Sequence, residues 1–220
     1  MPEVILLDND VVLKVCAYRC HEQLMATLTA EEQPPAMLRL GRYALRSRLS
    51  KPDRVADHEG TASIFEGLLE RLMQIDPSPA EIGLATELEE RAVSMGLEFD
   101  TGESQLVAVL LMREAPLLVT GDKRAIAALN AMHLTGAERR IACLEQLFAM
   151  LLAKHPLEPL RRGVCAEREA DKAITACFAC SVARTSIEDV VAGLGSYIRH
   201  LRSTTGAILV EDADLLPVVS

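Results

Sequence analysis

The chain has no tryptophan and few other aromatic residues, three Tyr and four Phe in 220 positions. Its core must therefore be aliphatic, and stacking of bases on aromatic platforms is a poor way for it to grip a single strand. No run of about 18 uninterrupted apolar residues occurs, so no membrane-spanning helix is expected. Met1-Pro2-Glu3 offers no basic region ahead of a long hydrophobic stretch, so no secretory leader is expected either. No repeat of fixed period and no low-complexity tract is present. None of the five His forms a spaced pair with another. Cys177-Phe178-Ala179-Cys180, with Cys165 nearby, and the pair Cys16 and Cys20 fall in apolar stretches of helical pattern, where a thiol packs as a small hydrophobe. A closed zinc site would want two such pairs on loops. The six Cys are accordingly expected to be reduced thiols of a cytoplasmic protein.

What is present is a chain that is 50% hydrophobic with a formal net charge of -9. That much apolar content builds a real core and excludes wholesale disorder. The length allows one generous domain, or a domain of about 150 residues with an extension. The negative charge argues against broad electrostatic binding to nucleic acid as the main task. It leaves room for an acidic pocket beside a local basic surface. The run from Arg39 to Arg54, with Arg42, Arg46, Arg48 and Lys51, is such a surface, or simply a solvated helix face.

Hydrophobic patterning predicts alternating strands and helices. Strands are expected at Val4–Leu7, Ala36–Leu40, Pro116–Thr120 and Arg140–Cys143. Helices are expected over about 11–28, 43–49, 61–75, 78–95, 103–113, 124–132 and 144–154. Ser78-Pro79-Ala80-Glu81 has capping-box spacing with Pro at the first helical position, and Gly96 is a natural stop. The alternation implies parallel βαβ units. His155-Pro156-Leu157-Glu158-Pro159 divides the chain into a domain over 1–155 and a helical C-terminal extension over 156–220. Helices are expected in the extension at 166–182 and 186–202, followed by a short apolar run, Ala207–Val210, that meets Glu211, Asp212 and Asp214.

Three acids stand where a strand or loop feeds a helix. Asp8 closes Val4-Ile5-Leu6-Leu7, Asp122 follows Leu117-Leu118-Val119-Thr120-Gly121, and Glu103 ends Asp100-Thr101-Gly102-Glu103. In an open α/β sheet, ligands bind in the crevice at the carboxyl ends of the strands. Carboxylates gathered there repel one another unless a hard cation sits among them, and Mg²⁺ or Mn²⁺ suits phosphodiester chemistry. Each acid also has a structural explanation: Asp is a favoured N-cap, and Asp100 with Glu103 has capping-box spacing. Caps need not converge, whereas a metal site must.

These residues resemble the PIN-domain (VapC-like) ribonucleases. The likeness rests on Val4 to Val12, on Asp100 to Leu111 with its Asp-x-Gly-Glu element, and on Leu117 to Arg124 with Thr120-Gly121-Asp122-Lys123. It spans about residues 3–150. The resemblance implies a three-layer α/β/α sandwich around a parallel sheet of four or five strands, and Mg²⁺- or Mn²⁺-dependent hydrolysis of RNA, with Asp8, Glu103 and Asp122 ligating the metal. It further implies that Asp10 supports the first loop, that Thr120 orients a carboxylate or a water, and that Lys123 meets substrate phosphate. Arg42 and Arg46 join the expected substrate-binding residues. One departure stands out. The family has a further Glu on the helix after the second strand, and here Leu40–Leu49 carries Arg42, Arg46 and Arg48 but no acid; Glu59 and Glu66 lie farther on. The second acid that often follows the Asp122 position is also missing.

Two other classes remain open. A PIN-like binding or regulatory protein without catalysis would explain the missing Glu. A haloacid-dehalogenase-like phosphatase would use Asp8 as nucleophile and Asp10 as general acid/base, in Asp8-Asn9-Asp10-Val11-Val12. The extension is read as covering the sheet edge, docking a protein partner or joining a homodimer, with no membrane contact.

Overall fold

Pleating sends successive strand residues to opposite faces, and the short apolar strands divide their side chains accordingly. Ile5, Leu7, Leu117, Val119 and Ala142 enter one hydrophobic cluster, while Leu6, Leu118, Ile141 and Cys143 enter another. The structure, a computed structural model, describes residues 4–29, 33–50, 55–212 and 215. Lys51, Arg54 and Asp214 lie outside the described residues.

Among the described residues, five strands, β1 (Leu6–Leu7), β2 (Ala36–Leu38), β3 (Met73–Ile75), β4 (Leu118–Thr120) and β5 (Ile141–Cys143), form one sheet in the order β3-β2-β1-β4-β5. Every pairing is parallel, with Leu6 opposite Leu118 and Leu7 opposite Val119. Helices cover both faces, giving the three-layer sandwich with a helical C-terminal part. The chain steps outward from β1 to β3 and then returns to lay β4 beside β1. The carboxyl ends of β1 and β4 therefore flank the crevice where ligands bind in such sheets.

The helices are α1 (Asn9–Ala17), α2 (His21–Leu28), α3 (Gly41–Leu49), α4 (His58–Leu69), α5 (Pro79–Ser94), α6 (Thr101–Met112), α7 (Lys123–Met132) and α8 (Leu144–Lys154), with α9 (Leu157–Ala166), α10 (Lys172–Cys177) and α11 (Ile187–Thr205) in the extension. The single helix expected over 11–28 is two, because Arg19 adopts φ 55° and the buried Tyr18 turns in against Phe148. The helix expected to reach Ile75 stops at Leu69. Met73–Ile75 instead pairs with β2, where Met73 N–H donates to the Pro35 carbonyl at 3.0 Å. The helix expected over 166–182 is interrupted after Ala166. Glu167 leaves the helix to accept the Ala56 and Asp57 N–H groups at 2.7 and 2.9 Å, and Asp171 caps α10 by accepting from Ile174 N–H at 3.0 Å.

The extension is welded to the sheet. Val190 and Leu194 of α11 belong to one cluster and Ile198 and Leu201 to the other, so this helix wraps the β5 side. Leu209 bridges Ile141 in parallel, and Val210 N–H donates to the Ile141 carbonyl at 2.8 Å. Three of the few aromatic rings run edge to face through the joint: Tyr18 to Phe148 at 5.8 Å and Phe148 to Phe178 at 5.4 Å. The expectation of six reduced thiols is corrected. Cys165 and Cys180 form a disulfide with Cα atoms 5.2 Å apart, because the return after α10 brings Cys180 back to the end of α9. Cys16, Cys20, Cys143 and Cys177 are free and buried. Among the described residues no helix is long and apolar enough to cross a membrane.

Candidate carboxylate cleft

Asp8 ends β1 at the N-cap position of α1, yet its side chain makes no cap hydrogen bond. Its N–H donates to the Val119 carbonyl at 3.0 Å, and its Oδ2 accepts the buried Thr120 hydroxyl at 3.0 Å. Thr120 Oγ1 in turn accepts the Asp122 N–H at 3.1 Å. One hydroxyl thus ties the end of β1 to the loop after β4. Asp8 is only 9% exposed. That burial, with the charges of Asp10 and Asp100, outweighs the Thr120 and backbone hydrogen bonds and pushes its carboxyl up to about 6.

Asp100 and Glu103 form the capping box of α6: Glu103 N–H donates to Asp100 Oδ1 at 2.9 Å, and Asp100 N–H donates to Glu103 Oε2 at 2.8 Å. Burial is the largest influence on Glu103. The charges of Asp100, Asp122 and Asp8 add to it, and the carboxyl rises to about 8 despite the Asp100 N–H. Asp122 caps α7, accepting from the N–H groups of Arg124 at 2.8 Å and Ala125 at 3.3 Å, and pairs with Arg124 Nη2 at 2.9 Å. Burial pushes it upward, but Arg124 and those N–H groups hold it below the usual carboxylate range.

Asp8, Glu103 and Asp122 line one cleft of about 760 Å³ at the carboxyl ends of β1 and β4, together with Asp10, Asp100, Lys14, Arg48, Lys123 and Asp171. Thr120 stands behind Asp8. Lys123 reaches the cleft wall, but its Nζ lies 2.5 Å from the buried Glu145 and 5.3 Å from the centre of the Tyr197 ring. Arg42 and Arg46 are not brought there. They line a separate depression with Glu66 and Glu70; Arg46 is held in a two-bond pair with Glu66 at 2.7 and 2.6 Å, and Arg42 donates to the Tyr43 hydroxyl at 2.5 Å. Glu66 is thereby committed away from the cleft, and Glu59 is exposed at the start of α4. From α3 it is Arg48 that faces the cleft, and it has no ion pair or hydrogen bond among the described residues.

The donor set suits a hard divalent cation in kind, since every acid offered is a carboxylate. As placed, no three His, Cys, Asp or Glu side chains among the described residues form a group close enough to hold an ion. Glu103 is turned to the Asp100 N–H and Asp122 to its cap and Arg124. Coordination of one ion by both would therefore require those two side chains to turn away from these partners.

Two participants escape sequence reasoning. Lys14 lies four residues after Asp10, a readable helix-face pairing, and its Nζ sits 2.6 Å from Asp10. Asp171 comes from the extension, and nothing around it in sequence marks it beyond a plausible cap. No family model matches the chain, and no curated protein matches it. Among solved structures, the chain is similar to the crystal structure of PAE2754 from Pyrobaculum aerophilum, with 19% identity, a TM-score of 0.46, and coverage of 69% of this chain and 98% of that one. So weak a likeness carries nothing about activity.

Proposed function

We propose that the protein is a Mg²⁺- or Mn²⁺-dependent ribonuclease of PIN-like type. The supporting observation is the convergence of Asp8, Glu103 and Asp122, from three separate segments, on one cleft at the β1–β4 switch point. The RNA substrate and the family come from the resemblance of the three motifs. In this reading Asp8, Glu103 and Asp122 hold the cation. When bound, such an ion supplies an activated water and stabilises charge on phosphate oxygens. The chain's own groups do the rest. Thr120 fixes the orientation of Asp8 through its hydroxyl. Arg48, unengaged at the cleft wall, is better placed than Arg42 or Arg46 to meet a phosphate.

The test is cleavage of labelled single-stranded RNA with Mn²⁺ or Mg²⁺ by wild type, Asp8→Asn and Glu103→Gln. Cleavage by wild type should fall by at least about a hundredfold in both variants, since neither amide can ionise to counter the cation. Cleavage that persists unchanged in both contradicts the proposal. A second reading, a PIN-like binding protein without turnover, is favoured by the engagement of Glu103 and Asp122 in their own helix caps. It predicts no cleavage by wild type under any divalent cation.

A further inference from the structure

Lys14 is 8% exposed, so its ammonium needs compensation inside the fold. Among the described residues it has two partners. Asp10 on its own helix lies at 2.6 Å, and Asp171 from the extension lies at 2.7 Å. Both carboxylates line the cleft, and the Asp171 side chain is 15% exposed. Gly121 leaves the space this arrangement needs, because a Cβ there would run into the Asp10 carboxylate and approach Lys14 Nζ to 3.3 Å. Asp171 is held firmly. It caps α10, it follows Glu167 with its clamp on Ala56 and Asp57, and it lies within the loop closed by Cys165 and Cys180.

One ammonium shared by two carboxylates leaves one negative charge uncompensated. If Asp171 were neutral, Lys14 would belong to Asp10 alone and would cancel it. We propose that Asp171 is a positioning residue of the cleft: by sharing the Lys14 ammonium it keeps Asp10 from being neutralised and preserves a negative charge beside Asp8. The extension is then part of the site. The inference rests on the cleft described above, and its relevance to a cation rests on the proposed function. The charged groups around Lys14 are Asp10 on α1, Asp171 and Glu169 from the extension, and Lys123 of α7, which acts on Asp171. Burial pushes Lys14 down, but Asp10 and Asp171 together hold it above the usual lysine range.

The test uses the full chain labelled with ¹³C-lysine, with the Lys14 resonance assigned by its loss in Lys14→Met. Asp171→Asn keeps a capping oxygen and removes the charge; Asp171→Ser does the same and serves if Asn disturbs folding. The Lys14 titration should move down by about one pH unit in the neutral variant and recover in Asp171→Glu. A Lys14 titration unmoved by loss of the charge overturns the inference. Calorimetric titration with Mn²⁺ reads the consequence: several-fold weaker binding by Asp171→Asn is expected, and unchanged affinity also overturns it. If wild type binds no Mn²⁺ while Lys14 still shifts in Asp171→Asn, the charge sharing stands and the ribonuclease reading fails.

Discussion

Glu103 holds its proton well past the range of an ordinary carboxylate, up to about 8 from 4.5, with burial the main cause and the neighbouring acids adding to it. Between those values the folded chain keeps a proton that the unfolded chain has released. Stability therefore falls as pH rises through this window; the contribution is complete below 4.5 and gone above about 8. Asp8 acts the same way between 3.8 and about 6. Glu81 runs oppositely: Arg113 holds it near 2, so its contribution is present above 4.5 and lost as pH falls toward that value. A comparison of variants isolates the residue of interest. Glu103→Gln keeps an acceptor for the Asp100 N–H and cannot ionise. In metal-free buffer its melting temperature should match wild type near the low end of the window and exceed it above the high end. A melting-temperature difference that stays constant across the window would show that Glu103 is not held protonated. Sequence reasoning located Asp8, Glu103 and Asp122 because each ends an apolar run or opens a helix. It misplaced Arg42 and Arg46, since a run of basic residues does not reveal which side of α3 turns toward the cleft.

Elements were legible where their signals are local. Ser78 with Glu81 and Asp100 with Glu103 form the capping boxes that their spacing announces, and Gly96 takes the φ of 67° that favours glycine after a helix. They were illegible where tertiary contacts decide. Cys16, Ala17, Cys20 and Leu24 continue one helical period straight through the break at Arg19, so nothing local separates α1 from α2. Leu72 likewise extends the α4 pattern up to the edge strand that β2 recruits. The break after Ala17 has a purpose in packing. Gly163 of α9 lies against the Tyr18 carbonyl so closely that a Cβ would collide with the backbone. Gly163→Ala should therefore lower stability by about 1–3 kcal/mol, the usual cost of overpacking. Urea unfolding followed by circular dichroism reads it as a lower midpoint at unchanged slope. Stability at or above wild type would mean that α9 does not dock where described.

On the scale of the whole molecule, the boundary at His155–Pro159 separates sequence patterns but not bodies. The Tyr18, Phe148 and Phe178 rings, the Glu167 clamp, the α11 wrap around β5 and the Leu209 bridge all join the extension to the sheet. None of these contacts has a local sequence signature, and the same holds for the Cys165–Cys180 pair. The alternating strands and helices, by contrast, announced the parallel sheet, and the order β3-β2-β1-β4-β5 explains why acids far apart in sequence share one crevice. The central claim is that this crevice is a shared carboxylate site for a divalent cation. Its most direct test is calorimetric Mn²⁺ titration of wild type, Asp8→Asn and Glu103→Gln, with circular dichroism to verify the fold. The account predicts binding by wild type, carried by a stoichiometric site and lost in both variants. Absence of binding by wild type at millimolar Mn²⁺, or binding that survives in both variants, would contradict it.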